Sequence, residues 1–146
     1  MSELVARAEM LIRRPGREAF DAFVNPDTIT KFWLKATTGP LAPDAVEDWA
    51  FMVPGAAETV RVTAFEPDRQ ISFVWSDGIH VNLTFFHHGG VESRVTVEAR
   101  GFADLAATVG ATEGFTIVLC DLKTLLETGQ SANLVRDKAA LIAGAK

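Results

Sequence analysis

The side chains that could carry acid–base chemistry lie on predicted strands of this 146-residue chain. They are Glu47, Asp48, Glu58, Arg61 and Glu98. A carboxylate that points into an apolar cavity has a raised pKa and can act as a general base. If Trp49 and Phe51 face inward, strand alternation turns Glu47 inward and Asp48 outward, and the opposite phase sends Asp48 inward. Cross-strand ion pairs on a solvated face are the simpler interpretation, and the sequence favours them.

No other residues have the spacing of a catalytic or metal site. His87 and His88 are adjacent at a strand end, so their side chains point to opposite faces, and alternation places His80 and His88 on the solvent face. Cys120, the one cysteine, has no basic neighbour in sequence and is predicted to be a buried, inert thiol. No tyrosine, Gly-x-Ser-x-Gly elbow, phosphate loop or Cys-x-x-Cys motif is present. We identify no catalytic residue, metal or cofactor, and the sequence favours a protein that is not an enzyme.

Length and charge restrict the class of protein. One domain, residues 1–146, is long enough to bury its own core. The net charge is −5, and no run of Lys and Arg is dense enough to follow a phosphate backbone, which argues against nucleic acid as a partner. The N-terminus lacks the pattern of a signal peptide, and no apolar run is long enough to span a bilayer. With a single cysteine, these features predict a cytoplasmic protein with no membrane partner.

The elements that must position these side chains follow from hydrophobic periodicity. The predicted strands are residues 4–13, 46–53, 58–65, 70–75, 79–85 and 91–99. Two short helices follow the first strand, a long helix occupies residues 111–128, and an amphipathic segment covers residues 134–142. Short alternating strands joined by tight turns form an antiparallel meander with one buried face. We therefore predict an α+β fold in which a curved, six-stranded antiparallel sheet grips a long C-terminal helix.

The apolar faces of the sheet and the long helix supply the candidate binding residues. They are Trp33, Phe51, Phe73, Trp75, Leu83, Phe85, Phe115, Leu119 and Leu122. These side chains either interdigitate at crystal-like density or leave a cavity lined by aromatic rings. The pattern favours a cavity for a small apolar or amphipathic molecule, with packed core as the alternative.

Several motifs, in order, resemble one family. They are Arg14-Pro15, Glu18-Ala-Phe-Asp-Ala-Phe, Asn25-Pro-Asp, Lys31-Phe-Trp, the run from Phe65 to Trp75, Gly101-Phe102, and Gly114-Phe115-Thr116 with Leu119, Leu122 and Leu126. Together they resemble proteins like the activator of the ninety-kilodalton heat-shock protein ATPase, within the START-like (SRPBCC) superfamily. The chain departs at Phe32 and Phe115, where the family commonly has tryptophan, and at residues 44–46, where a Gly-Gly stretch is usual. The resemblance implies a helix-grip fold, often with a cavity between sheet and helix.

Three functional hypotheses follow. The first is binding of a small apolar ligand in that cavity. The second is a stress-associated or chaperone-linked interaction module that uses the solvated sheet face, whose residues are Arg61, His80, Asn82, Arg94, Thr96 and Glu98. The third is an enzyme of the cyclase or hydrolase type, which requires a polar dyad inside the cavity. The segment 134–142 packs either on its own sheet or on a second copy of the chain, so a homodimer stays open.

Overall fold

One antiparallel sheet and one long helix organise residues 3–144, which are described by the computed structural model. The strands are β1 (Val5–Ile12), β2 (Leu34–Thr37), β3 (Val46–Phe51), β4 (Ala57–Glu66), β5 (Gln70–Trp75), β6 (His80–His87) and β7 (Ser93–Arg100). The helices are α1 (Gly16–Val24), α2 (Pro26–Phe32), α3 (Leu105–Thr128) and α4 (Leu134–Gly144). The strand order is β1-β7-β6-β5-β4-β3-β2, and each pairing is antiparallel. The predicted α+β helix-grip fold is confirmed.

The sheet has seven strands, and the prediction of six was wrong because β2 was missed. This edge strand has four residues, and a register shift between Leu34 and Ala36 interrupts its pairing with β3. Only Leu34 is fully buried, so the strand shows no alternation that a sequence pattern could reveal. It follows α2 directly and brings Trp33 to the inner side of the sheet edge.

Helix α3 is capped at both ends by its own sequence. The side chain of Asp104 accepts a hydrogen bond from the Ala107 N–H at 2.8 Å, and Gly129 ends the helix in the left-handed region with φ 81°. The helix therefore starts at Leu105, six residues before the predicted start. Leu105 is 64% exposed, so the first turns lie outside the apolar stripe that guided the prediction.

The C-terminal half of α3 is fixed to the end of β1. Lys123 Nζ donates hydrogen bonds to the Leu11 carbonyl at 2.6 Å and to the Glu127 carboxylate at 2.7 Å, and the Arg13 N–H donates to Glu127 at 2.8 Å. The Lys123 hydrogen bond, helped by the Arg13 N–H, lowers the pKa of the Glu127 carboxyl below its ordinary value, against the opposing effect of burial.

Of the described helices, α3 alone is long and apolar enough to cross a bilayer by length and composition. Its buried residues include Phe115, Val118, Leu119, Leu122 and Leu125, and they join the core formed with the inner face of the sheet. Helix α3 is therefore the core helix of this domain.

Candidate ligand-binding cavity

Six aromatic rings meet between one end of the sheet and α3. They are Trp33, Trp49, Phe51, Phe73, Trp75 and Phe115, with neighbouring ring centroids 5.1–6.4 Å apart. Alternation along β3 and β5 puts two rings of each strand on the inner face. Trp75 and Phe115 stack with an interplanar angle of 11°, and the other pairs are edge-to-face or tilted. These rings form the aromatic cluster.

An open cavity of about 300 Å³ lies beside the aromatic cluster. Four rings of the aromatic cluster form one wall, and the β3–β4 hairpin, the segment of α3 from Ala111 to Val118 and the inner side of α4 form the others. The lining residues are Trp33, Phe51, Met52, Val53, Ala56, Trp75, Phe102, Ala111, Gly114, Phe115, Ile117, Val118, Val135, Lys138, Ala139 and Ile142. Nearly all of this surface is apolar, as expected for a site that receives a small organic molecule.

The sequence-predicted binding residues fall into two groups. Four of them, Trp33, Phe51, Trp75 and Phe115, line the cavity. The other five are buried in the core and do not line it: Phe73, Leu83, Phe85, Leu119 and Leu122.

Neighbouring rings explain two of the five core positions. Phe85 packs edge-to-face on Phe20 and Phe23 of α1, at 5.4 and 5.8 Å. Phe73 lies 5.2 Å from Trp49. Contact between any of the nine predicted residues and a ligand stays a prediction.

Helix α4 is the wall that the sequence did not locate. It packs against α3 and also contacts α2, whereas the alternatives for this segment were the sheet or a second copy. Val135, Lys138, Ala139 and Ile142 face the cavity. Their spacing of i, i+3, i+4 and i+7 is a helical stripe, so the amphipathic pattern was the available signal, but its partner surface was not.

A buried carboxylate attaches α4 to α3. Asp121 is fully buried, and its Oδ1 accepts hydrogen bonds from the Ser131 hydroxyl and the Ala132 N–H, both at 3.3 Å. Its Oδ2 accepts from the Val135 N–H at 3.2 Å, which belongs to the first turn of α4. A second link, between Lys138 Nζ and Glu113 Oε1 at 3.0 Å, joins the middle of α4 to the N-terminal half of α3.

The candidate acid–base groups lie outside the cavity. Trp49 faces inward and the Asp48 side chain outward, where it accepts a hydrogen bond from the Thr59 hydroxyl at 2.9 Å. Glu47 is half-buried and accepts from the Thr38 hydroxyl at 2.8 Å. Neither carboxylate belongs to the lining.

The remaining candidate groups also lie apart from the cavity. Glu58 accepts from the Ser76 hydroxyl at 2.6 Å. His80, His87 and His88 are exposed. Within residues 3–144, no three His, Cys, Asp or Glu side chains are close enough together to bind a metal. Cys120, expected to be buried, is half-buried.

Lys138 and Trp75 are lining residues that carry hydrogen-bond donors. The Lys138 ammonium is paired with Glu113, as described above. The Trp75 indole Nε1 is buried and has no hydrogen-bond partner among the described residues. Both groups are donors, and a buried donor that lacks an acceptor carries a free-energy cost.

Comparisons with known proteins agree with this architecture. The family model described as "Activator of Hsp90 ATPase homolog 1-like protein" matches residues 13–127, so α4 lies beyond the matched segment. No curated protein sequence matches the chain at a significant level.

Solved structures share the fold at low sequence identity. Protein SSP2350 from Staphylococcus saprophyticus superposes with a TM-score of 0.78 at 22% identity, covering 87% of this chain and 94% of that one. DynU16, a protein in the dynemicin biosynthetic locus, gives 0.79 at 19%, covering 89% of this chain and 49% of that one. The Aha1 dimer from Colwellia psychrerythraea gives 0.77 at 14%, covering 87% and 98%. At these identities the likeness is one of fold.

Proposed function

We propose that this chain, which belongs to the family of Activator of Hsp90 ATPase homolog 1-like proteins, binds a small apolar or amphipathic molecule between its sheet and α3. The observation that carries the proposal is the aromatic-lined cavity of about 300 Å³. Its volume is at the lower end of small-molecule sites, about 300–1,000 Å³, so the occupant is small.

The proposal is supported by apolar side-chain surface that faces the cavity and that the protein itself does not bury. Trp33, Phe51, Trp75 and Phe115 present ring surface to this space. An occupant would bury that surface, which contributes about 25 cal/mol per Å² of apolar area. It would also give the lining atoms dispersion partners that they lack on the cavity side.

Two glycines of α3 give a matched test. Gly114 lines the cavity, Gly110 does not, and a Cβ added to either meets no atom within 4 Å. Gly114→Leu places a side chain in the cavity, whereas Gly110→Leu makes the same chemical change on an exposed position of the same helix. The uncharged dye N-phenyl-1-naphthylamine, which fluoresces in apolar sites, is the probe.

The expected result is saturable dye binding to the wild-type protein, at least about tenfold weaker in Gly114→Leu because the added side chain occupies the site. Gly110→Leu should bind like the wild type. Thermal unfolding of both variants checks that each is folded. Equal binding by all three proteins, or no saturable binding by the wild type, would contradict the proposal.

Association with other proteins is the second candidate role. Leu141 and Ile142 of α4 are 69% and 49% exposed, an apolar surface that a second copy could cover. The Colwellia relative is described as a dimer, and light scattering across a concentration series tests this for the present chain. A monomer at all concentrations would count against a homodimer.

The family description also suggests a chaperone partner, which would use the outer face with Arg94 and Glu98. Thr96, predicted on the same solvated face, is buried and donates a hydrogen bond to Glu9 Oε2 at 3.0 Å. Co-purification of a chaperone, lost on charge reversal of that face, would support this role. An unchanged chaperone ATPase rate with the protein added would count against it.

An enzyme would need a titratable pair in the cavity. Lys138 is the single titratable side chain among the described residues that line it, so binding is the better-supported function. We place this activity in the cytoplasm, in keeping with the single, half-buried cysteine.

A further inference from the structure

Lys138, the one charged residue among the described residues that line the cavity, indicates which charge an occupant carries, and this inference rests on the proposed function. We infer that the cavity takes an apolar molecule with one anionic group, such as a carboxylate or sulfonate, and that this group pairs with the ammonium of Lys138. In doing so it replaces Glu113 as the partner of Lys138.

The described side chains of the lining contain one charge, the ammonium of Lys138. Among these side chains, only the indole N–H groups of Trp33 and Trp75 and the ammonium of Lys138 are strongly polar, and none of these can accept a hydrogen bond. The Met52 thioether is a weak acceptor at most. The Lys138 ammonium would repel a cationic group of a ligand and attract an anionic one.

Trp75 supplies a rigid apolar surface beside the cavity. Its indole stacks on Phe115 at a centroid distance of 6.2 Å and packs edge-to-face on Phe51 at 5.6 Å. The Nε1–H of this ring is unpaired within the described part of the chain. Because this nitrogen is buried, an occupant of the cavity would meet the ring surface of Trp75 and not its N–H.

Lys138 supplies the charge, and its present partner is weakly bound. The Lys138 side chain is 36% exposed and that of Glu113 is 60% exposed, so their ion pair at 3.0 Å is of the solvated kind that contributes little. A ligand anion in the apolar cavity would meet the same ammonium in a less polar environment, where the pairing is stronger. Exchange of Glu113 for the ligand is thus favoured, while a neutral occupant gains nothing from Lys138.

Two dyes of nearly the same shape separate the effect of ligand charge on binding from the effect of ligand apolarity. 1-Anilinonaphthalene-8-sulfonate carries a sulfonate on the skeleton of N-phenyl-1-naphthylamine, which is uncharged. Lys138→Met retains an apolar stem and removes the charge. Arg136→Met removes the same charge from an exposed position of α4 that does not line the cavity, and is the control.

We expect Lys138→Met to weaken binding of the sulfonate dye about fivefold, the effect of one partly solvated ion pair, and to change binding of the neutral dye less than about twofold. Arg136→Met should change neither affinity more than about twofold. In the opposite direction, Glu113→Gln removes the competitor and should tighten the sulfonate dye about twofold or more, with Asp137→Asn, an exposed acid beside Lys138, as its control.

The outcomes distinguish this inference from the proposed function. Equal weakening of both dyes by Lys138→Met would assign Lys138 a structural role and overturn the inference. So would a sulfonate dye whose affinity is unaffected by Lys138→Met. In both cases binding that Gly114→Leu abolishes would leave the proposed function in place, whereas no saturable binding of either dye to the wild-type protein would overturn both.

Discussion

The two halves of α3 face the same sheet with side chains of different size. In the C-terminal half, Leu119 and Leu122 are fully buried and Leu125 is nearly so. In the N-terminal half, Ala111 and Gly114 face the aromatic cluster and border the cavity. One half is packed like a protein interior, and the other half leaves a space.

Side-chain size along one helix therefore decides where the domain is filled. Large aliphatic residues of the C-terminal half reach into the inner face of the sheet. In the N-terminal half Phe115 reaches the rings, but Ala111 and Gly114 are too small to do so, and α4 covers part of the gap that they leave. Lys123 and Glu127 fix the filled half to β1, and Asp121 attaches α4 near the middle of α3. The comparison predicts that stability depends on the C-terminal half and binding on the N-terminal half.

The largest expected effect comes from a truncation in the filled half. Leu122→Ala removes a fully buried side chain and should lower the free energy of unfolding by about 2–5 kcal/mol, because the packed surroundings cannot close the space. The matched control is Leu105→Ala in the exposed first turn, with an expected change below about 0.5 kcal/mol. Urea denaturation measures both. Similar losses of stability in the two variants would contradict the predicted difference between the two halves of α3.

The attachment of α4 can be broken at Asp121. Asp121→Ala leaves the N–H groups of Ala132 and Val135 without their acceptor, and should cost about 1–3 kcal/mol. Since α4 forms one wall of the cavity, binding of the neutral dye should weaken as well. Asp137→Ala, an exposed acid on α4, is the control for both measurements. If the Asp121→Ala protein is less stable but binds the dye as tightly as the wild type, the attachment of α4 is not needed for binding.

The hydrogen bonds between α3 and the end of β1 predict that the free energy of unfolding depends on pH. The pKa of Glu127 lies below its ordinary value of 4.5, mainly because Lys123 donates a hydrogen bond to the carboxylate. The ionised carboxylate therefore stabilises the fold in full when the pH is above the ordinary pKa of 4.5. This contribution is lost as the pH falls through the lowered pKa that Glu127 has in the folded protein. Glu127→Gln should cost about 1 kcal/mol at neutral pH.

Urea denaturation of the wild type and Glu127→Gln across acidic and neutral pH checks this prediction. The two stability curves should converge in acid, where the wild-type carboxyl is protonated. Dye affinity at neutral pH should not change, since the link lies in the filled half. A constant gap between the two curves would refute the assigned role of the ionised carboxylate.

The smallest expected effect concerns the helix itself. Gly110→Ala and Gly114→Ala should each raise stability by about 0.5–1 kcal/mol, because glycine costs backbone entropy in a helix interior and the new Cβ meets open space at both positions. The neutral dye should still bind to both, since a methyl group fills little of the cavity. Thermal unfolding gives the first result and dye titration the second. A destabilised Gly114→Ala protein would mean that the space beside Phe115 is not free.

Most of the fold could be predicted because local patterns of apolar and polar residues specify its strands and its long helix. Strands β3 to β7 each alternate apolar and polar side chains, and α3 carries a continuous apolar stripe over its C-terminal half. Strand β2 could not be found in this way, since Leu34 is its one fully buried residue. The exposed start of α3 was missed for the same reason, although Asp104 is a recognisable cap.

The sequence could not separate residues that line the cavity from residues enclosed in the core, because alternation assigns a face of the sheet but not a position along it. Trp75 and Leu83 both point inward, yet the first borders the cavity and the second is enclosed in the core. Their difference depends on what the helices place opposite them. The role of Asp121 depends on a contact with a segment 10–14 residues further along the chain, after a turn of the backbone. Periodicity contains no information about such a contact.

The aromatic cluster has a spectroscopic consequence. The chain contains no tyrosine, and its three tryptophans have indole centroids 5.1–6.4 Å apart. At these separations the electronic transitions of the indoles couple, so the tryptophan emission of the protein comes from one cluster, in which Trp33 and Trp75 line the cavity. The folded protein thus contains an optical sensor of its own cavity wall, without an added label.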